Sequence, residues 1–102
     1  MNEFRFSAIV KEKPELLKSE NGLVYSNVIL DVPKNFQANS DKEEYDSHKV
    51  VCFKGTAEDA NSKLTKGMKI IVKGHINANN YEKENGEINF RNELVCDKIE
   101  YI

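Results

Sequence analysis

Ser47-His48-Lys49-Val50-Val51-Cys52-Phe53, then Thr56 to Lys66, then Gly67-Met68-Lys69-Ile70-Ile71-Val72-Lys73-Gly74: these three segments decide the fold. The first is rich in β-branched and aromatic residues and reads as a strand. In the second, Ala57, Ala60 and Leu64 fall on one face at helical spacing. Thr56 is the expected cap, with Glu58 and Asp59 near the positive helix end. Gly67 fits the stop. The third segment is again a strand. Gly74 marks an expected bulge or bend within it.

The rest of the chain reads as strands and turns. Phe4, Phe6, Ala8 and Val10 alternate with Arg5 and Ser7 in a first strand over 4–11. Pro14 ends or bends it. Asn21-Gly22 is a turn signal. Residues 23–32 form an expected second strand closed by Pro33, and 37–46 a polar, mobile loop. The third strand is expected over 49–53 and the fourth over 68–77. A hairpin loop follows over 79–87, tipped by Asn85-Gly86, and a fifth strand runs over 88–102. One lone helix between the third and fourth of five strands is the layout of an all-β Greek-key barrel, the OB-fold. A single domain over 1–102 is expected, with the helix plugging one barrel end.

Composition narrows the function classes. The hydrophobic share is 39% and the formal net charge −2. No apolar run reaches membrane-spanning length, and the charged start Met1-Asn2-Glu3-Phe4-Arg5 is no signal peptide. A cytoplasmic location follows as the default. Cys52 and Cys96 lie in apolar runs and read as buried, reduced thiols rather than a disulfide or metal pair. No zinc spacing, phosphate loop, nucleophile–base pair or paired-carboxylate motif is present. The expectation is therefore no enzyme, no cofactor and no metal.

Barrels of this class commonly bind unpaired nucleic acid by stacking bases on rings and tracking phosphates with cations. An acidic total argues mildly against that, but a local basic face can coexist with it. In the third strand, Ser47, Lys49, Val51 and Phe53 share one face and His48, Val50 and Cys52 the other. The second set is the expected core. Phe53 then offers either a platform ring or a core ring, and Tyr45 extends its face if the strand begins early. Phe36, Tyr81 and Phe90 bracket the loops, with Tyr81 either stacking on a base or packing on its own hairpin. Lys34, Lys49, Lys54, Lys73 and Arg91 are the candidate phosphate partners. His48 reads as a buried or interface residue rather than a base.

With those residues in place, the chain resembles the DNA-binding domain of bacterial and phage single-stranded-DNA-binding proteins almost end to end. The resemblance rests on Pro14-Glu15-Leu16, Asn21-Gly22, Asp46 to Phe53, Ala57-Glu58, Leu64, Lys66-Gly67, Tyr81, Asn85-Gly86 and Glu93-Leu94-Val95. It implies a barrel that coats single-stranded DNA during replication, recombination or repair. Phe36, Phe53 and Tyr81 would be stacking rings, Lys49 a phosphate contact and His48 an assembly residue. It also implies a homo-oligomer. Arg5 and Ser7 interrupt a first strand that is more evenly apolar in tetrameric members, so a dimer is expected as readily as a tetramer.

Departures from the family pattern carry expectations of their own. Ser47 stands where the family usually has a ring. Asn77, Asn79 and Asn80 stand where it is often basic, and the chain has no tryptophan. These imply weaker binding and a shallower salt slope. The sequence ends at Ile102, where the barrel should end and where relatives usually continue into an acidic tail. That is expected of a trimmed domain or of a short relative from a phage, plasmid or integrated element. Two rival readings remain open. One is an OB-fold protein-interaction module of a replication or primosome complex that binds nucleic acid only weakly. The other is an RNA-binding barrel.

Overall fold

Alternation of inward and outward side chains builds the molecule. The computed structural model describes residues 1–38 and 41–102. Its elements are β1 (Phe4–Val10), β2 (Leu17–Lys18), β3 (Val24–Pro33), β4 (Tyr45–Phe53), α1 (Lys54–Lys63), β5 (Lys69–Ala78), β6 (Tyr81–Glu82), β7 (Ile88–Asn89) and β8 (Asn92–Tyr101). The main sheet runs β1-β5-β8-β4-β3-β2 and closes through β1–β3. Five long strands therefore form a closed barrel, an OB-fold with its helix between the third and fourth of them. All pairings are antiparallel except β4 with β8, where Val50 faces Leu94 and Val51 faces Val95.

The barrel interior is aliphatic. Phe4, Ala8 and Val10 from β1 meet Val28 and Leu30, Val50 and Cys52, Ile70 and Val72, and Cys96. Helix α1 closes one end with Ala57 and Ala60, and Leu64 just beyond it; all three are fully buried, as the helical spacing predicts. Cys52 and Cys96 are free and buried. A hydrogen bond to Cys96 and burial both push the Cys52 thiol pKa up. Ser26 is the one polar side chain in the core among the described residues, and its hydroxyl donates to the Glu15 carbonyl at 2.8 Å.

Gly74 is the bend that the sequence suggests. The β5–β8 register shifts between Lys73 and Gly74. A Cβ on Gly74 would stand 1.8 Å from the Val95 carbonyl oxygen and 2.8 Å from the Phe4 ring. Glycine is needed there for close approach. The Asn21-Gly22 turn also forms: Gly22 has φ +87° and its N–H donates to the Ser19 carbonyl.

Four elements depart from the sequence reading by more than one residue. The helix begins at Lys54, not Thr56, and ends at Lys63. Phe53 occupies the cap position and supplies no side-chain cap. The strand turns straight into the helix through Lys54, whose φ is +52°, so the Thr56 hydroxyl lies inside the first turn. The third long strand starts early, at Tyr45. The segment over 79–87 is not all loop, because Tyr81–Glu82 pairs with Ile88–Asn89. The final strand is broken at residues 90–91. There the Arg91 backbone bonds instead to Asn79 and Asn80, tying off the hairpin base.

The loop after β3 is drawn together at its ends. The Gln37 amide donates to the carbonyls of Lys34 and Glu44, and its oxygen accepts the Glu44 N–H at 2.7 Å. The middle of that expected mobile loop, residues 39–40, lies outside the described residues. Among the described residues no helix is long and apolar enough to cross a membrane.

Candidate nucleic-acid interface

The β3–β4 ribbon presents one face to the core and one outward. Ser26, Val28 and Leu30 point in, and Tyr25, Asn27, Ile29 and Asp31 point out. Cross-strand pairing sets these last four beside Phe53, Val51, Lys49 and Ser47, respectively. The expected division of β4 is observed: Val50 and Cys52 are in the core, and the His48 ring stacks on Phe6 at 5.1 Å between centroids. Val51 points outward yet is only 5% exposed, because its parallel neighbour on β8 is Val95.

A groove of about 450 Å³ follows this outer face, between β4 and the start of β8. Ser47, Lys49, Val51, Asn79, Arg91 and Glu93 line it. On its other side Lys49 borders a second depression, with Lys13, Pro14, Leu17, Asn27 and Ile29. Lys49 therefore stands between two concavities on the ribbon. Neither Lys49 nor Arg91 has a carboxylate within 4 Å among the described residues, although Glu93 shares the groove.

The Arg91 guanidinium lies over the Tyr81 ring at 5.1 Å. The Tyr81 hydroxyl accepts a hydrogen bond from the Asn89 amide. Tyr81 is nonetheless 45% exposed. The ring packs on its hairpin and still shows a face. Phe53 is half-buried beside Tyr25, outside the core cluster. Phe36 is 78% exposed on the loop after β3.

Other candidates lie elsewhere. Lys34 is bound to Asp46 at 2.9 Å. That hydrogen bond and the charge attraction raise the Lys34 pKa above the ordinary lysine value. Lys34 borders a separate depression at the barrel mouth with Arg5, Phe6 and His48. Lys73 is on β5, beside Arg5 and Lys98, and pairs with Glu3 at 3.3 Å. Lys54 is exposed at the β4–α1 junction. Tyr45 borders Ile9, Lys69 and Ile102, and its hydroxyl donates to Glu43 at 2.8 Å, which raises its pKa.

Sequence reasoning missed Tyr25, Asn27, Ile29 and Asp31 as outward partners of β4. Their signal was the alternation with Ser26, Val28 and Leu30, hidden because the run is apolar on both faces.

The family's sequence model, the single-strand binding protein family, matches residues 1–102. The chain belongs to the single-strand binding protein family. Its relatives include the single-stranded DNA-binding protein 2 of Staphylococcus aureus strain Mu50, 33% identical over 89 residues, covering 87% of this chain and 63% of the relative. The single-stranded DNA-binding protein 1 of strain MSSA476 is 30% identical over 89 residues, covering 87% and 57%. The chain thus spans less than two thirds of the length of these curated relatives. Among solved structures, the SSB domain of a Synechococcus sp. protein superposes with a TM-score of 0.72, over 99% of this chain and 96% of that one. At 15% identity that likeness speaks for the family fold alone. The resemblance drawn from Asp46 to Phe53 and the two turns is borne out at the level of family and fold.

Proposed function

We propose that this chain binds single-stranded DNA along the outer face of the β3–β4 ribbon. Stacking and phosphate contacts carry the binding, and no chemistry is performed on the strand. One observation supports this most: among the described residues Lys49 and Arg91 share a groove and lack carboxylate partners, Arg91 lies over the Tyr81 ring, and Phe53 is on the same outward face of β4 as Lys49. A phosphate can meet either cation without an ion pair first being broken. Base–ring stacking contributes about 1–3 kcal/mol per base and tolerates any sequence. Phe36, on the loop that joins the two strands of the ribbon, extends the set of rings. Lys54 flanks Phe53 and is a lesser contact, while Lys34, Lys73 and Tyr45 stand outside the path.

The same reading covers a role in replication, recombination or repair in the cytoplasm, with replication proteins as partners. It also covers a homo-oligomer, a dimer or a tetramer. β1 pairs with β5 along Phe4–Ile9 but with β3 only at Ile9 and Val10, so one edge of its first half is available to another copy. The protein-interaction alternative drew support from the asparagine-rich hairpin. Asn79 and Asn80 already have a structural task there, in tying the hairpin base to Arg91.

The test replaces Phe53 and Tyr81 with alanine together. Fluorescence anisotropy should show at least tenfold weaker binding to an unstructured pyrimidine oligonucleotide, from about 1–3 kcal/mol per ring. Unchanged affinity in a variant with native circular dichroism would reject this surface.

A further inference from the structure

The outer face of the ribbon carries a carboxylate, which is unexpected opposite phosphate. Asp31 on β3 faces Ser47 on β4. The Ser47 hydroxyl donates to Asp31 Oδ1 at 2.9 Å. The Lys11 ammonium donates to Ser47 Oγ at 3.1 Å and stands 3.9 Å from the same Asp31 oxygen. Oδ1 is therefore held from two sides. Oδ2 makes no hydrogen bond among the described residues, and the side chain is 30% exposed. Lys11 offsets the charge at short range, which limits repulsion of the backbone. What remains is a fixed acceptor on the face that carries Lys49, Tyr25 and Phe53.

We propose that Asp31, oriented by Ser47 and Lys11, is a base-edge subsite that accepts amino hydrogens from unpaired cytosine, adenine or guanine and disfavours thymine. The inference rests on the DNA-binding reading above. An ionised carboxylate only accepts hydrogen bonds. Cytosine N4, adenine N6 and guanine N2 carry amino groups that donate; thymine has none and offers O2 and O4, both acceptors, around a single N3–H. Unstacked bases expose these edges in single strands. Ile29 and Lys49 form the neighbouring outward pair along the ribbon, roughly 7 Å away at strand spacing. A nucleotide whose phosphate meets Lys49 can lay its base edge against Asp31. Stacking still binds every base; this position adds a preference in composition.

The experiment measures competition by equal-length dC, dA and dT oligomers, at fixed salt, against wild type, Asp31→Asn and Ser47→Ala. Asp31→Asn is nearly isosteric and supplies an amide that can donate to thymine O4. The dC-to-dT affinity ratio should fall about fivefold or more, the effect of one hydrogen bond. The dA-to-dT ratio should fall with it. Ser47→Ala keeps the charge and releases the carboxylate, so the ratios should fall part of the way. If Asp31→Asn strengthens binding to all three oligomers equally, Asp31 acts only as a repelling charge and the proposal is overturned. A ratio that stays the same in every variant overturns it too. Wild type that binds none of the oligomers removes the underlying binding reading, and that result needs no variant to be seen.

Discussion

Two faces of the barrel carry cations, and they handle them differently. On the outer face of β1-β5-β8, Arg5 pairs across strands with Lys73 and Lys73 with Lys98. Three like charges in a row are unfavourable by themselves. Glu3 and Glu100 answer them: Lys73 reaches Glu3 at 3.3 Å, and Glu100 lies 4.0 Å from Arg5 and 3.7 Å from Lys98. Lys49 on the β3–β4 ribbon, and Arg91 beside it just before β8, are left without such partners among the described residues and share a groove instead. The number of cations does not separate the faces. Their pairing does: the first face is a neutralised wall, and the second keeps two cations open to the phosphate of the proposed function. A total charge of −2 is compatible with both.

The two faces depend on one barrel, and the strongest perturbation of it comes at the sheet side. Gly74→Ala drives a Cβ against the Val95 carbonyl, a backbone atom of the paired strand. Relief requires β5 and β8 to separate at the bulge. Overpacking of this kind costs about 3 kcal/mol or more, or roughly 12–24 °C in melting temperature for a domain of this size. Thermal unfolding followed by circular dichroism checks it. A drop of only a few degrees would show that the bulge can shift without opening the sheet.

That glycine was legible because a small residue inside an apolar β run has few other uses. Much of the barrel was legible for the same kind of reason. A period of two marks Phe4 to Val10, and Asn-Gly and Gly67 mark turns. The helix start was not. Thr56 carries every local feature of a cap, but the chain turns at Lys54 with φ +52°, a conformation favoured by tertiary packing rather than by residue type. The division between paired and unpaired lysines was equally hidden. Lys34, Lys49 and Lys73 look alike in sequence, and only the fold brings Asp46 to the first and Glu3 to the third. Val51 looked exposed by alternation because its cover comes from the distant β8.

The cation contrast itself can be measured through salt. Each phosphate contact on a single strand contributes about 0.7 to the slope of log affinity against log salt. Lys49→Ala with Arg91→Ala should lower the slope by about 1.4 and weaken binding at low salt. Lys73→Ala with Lys98→Ala should leave the slope nearly unchanged. Oligonucleotide titrations at four or five salt concentrations decide between them. Equal losses from the two double variants would erase the distinction between the faces.

The finest test asks whether pairing is the cause of that distinction. Glu3→Gln with Glu100→Gln leaves the row of Arg5, Lys73 and Lys98 in place but removes its carboxylates. Exposed ion pairs of this kind contribute only about 0–1 kcal/mol each, so stability should change little, although the row of cations will repel itself more. If neutralisation alone keeps the face idle, the freed cations should now take phosphate. Affinity for a long oligonucleotide should then rise at low salt, by less than about tenfold, with a steeper slope; a short oligonucleotide confined to the groove should gain less. An unchanged slope would mean that the β1-β5-β8 face cannot hold a strand even when its charges are released. Shape would then count for more than pairing in setting the path of the strand.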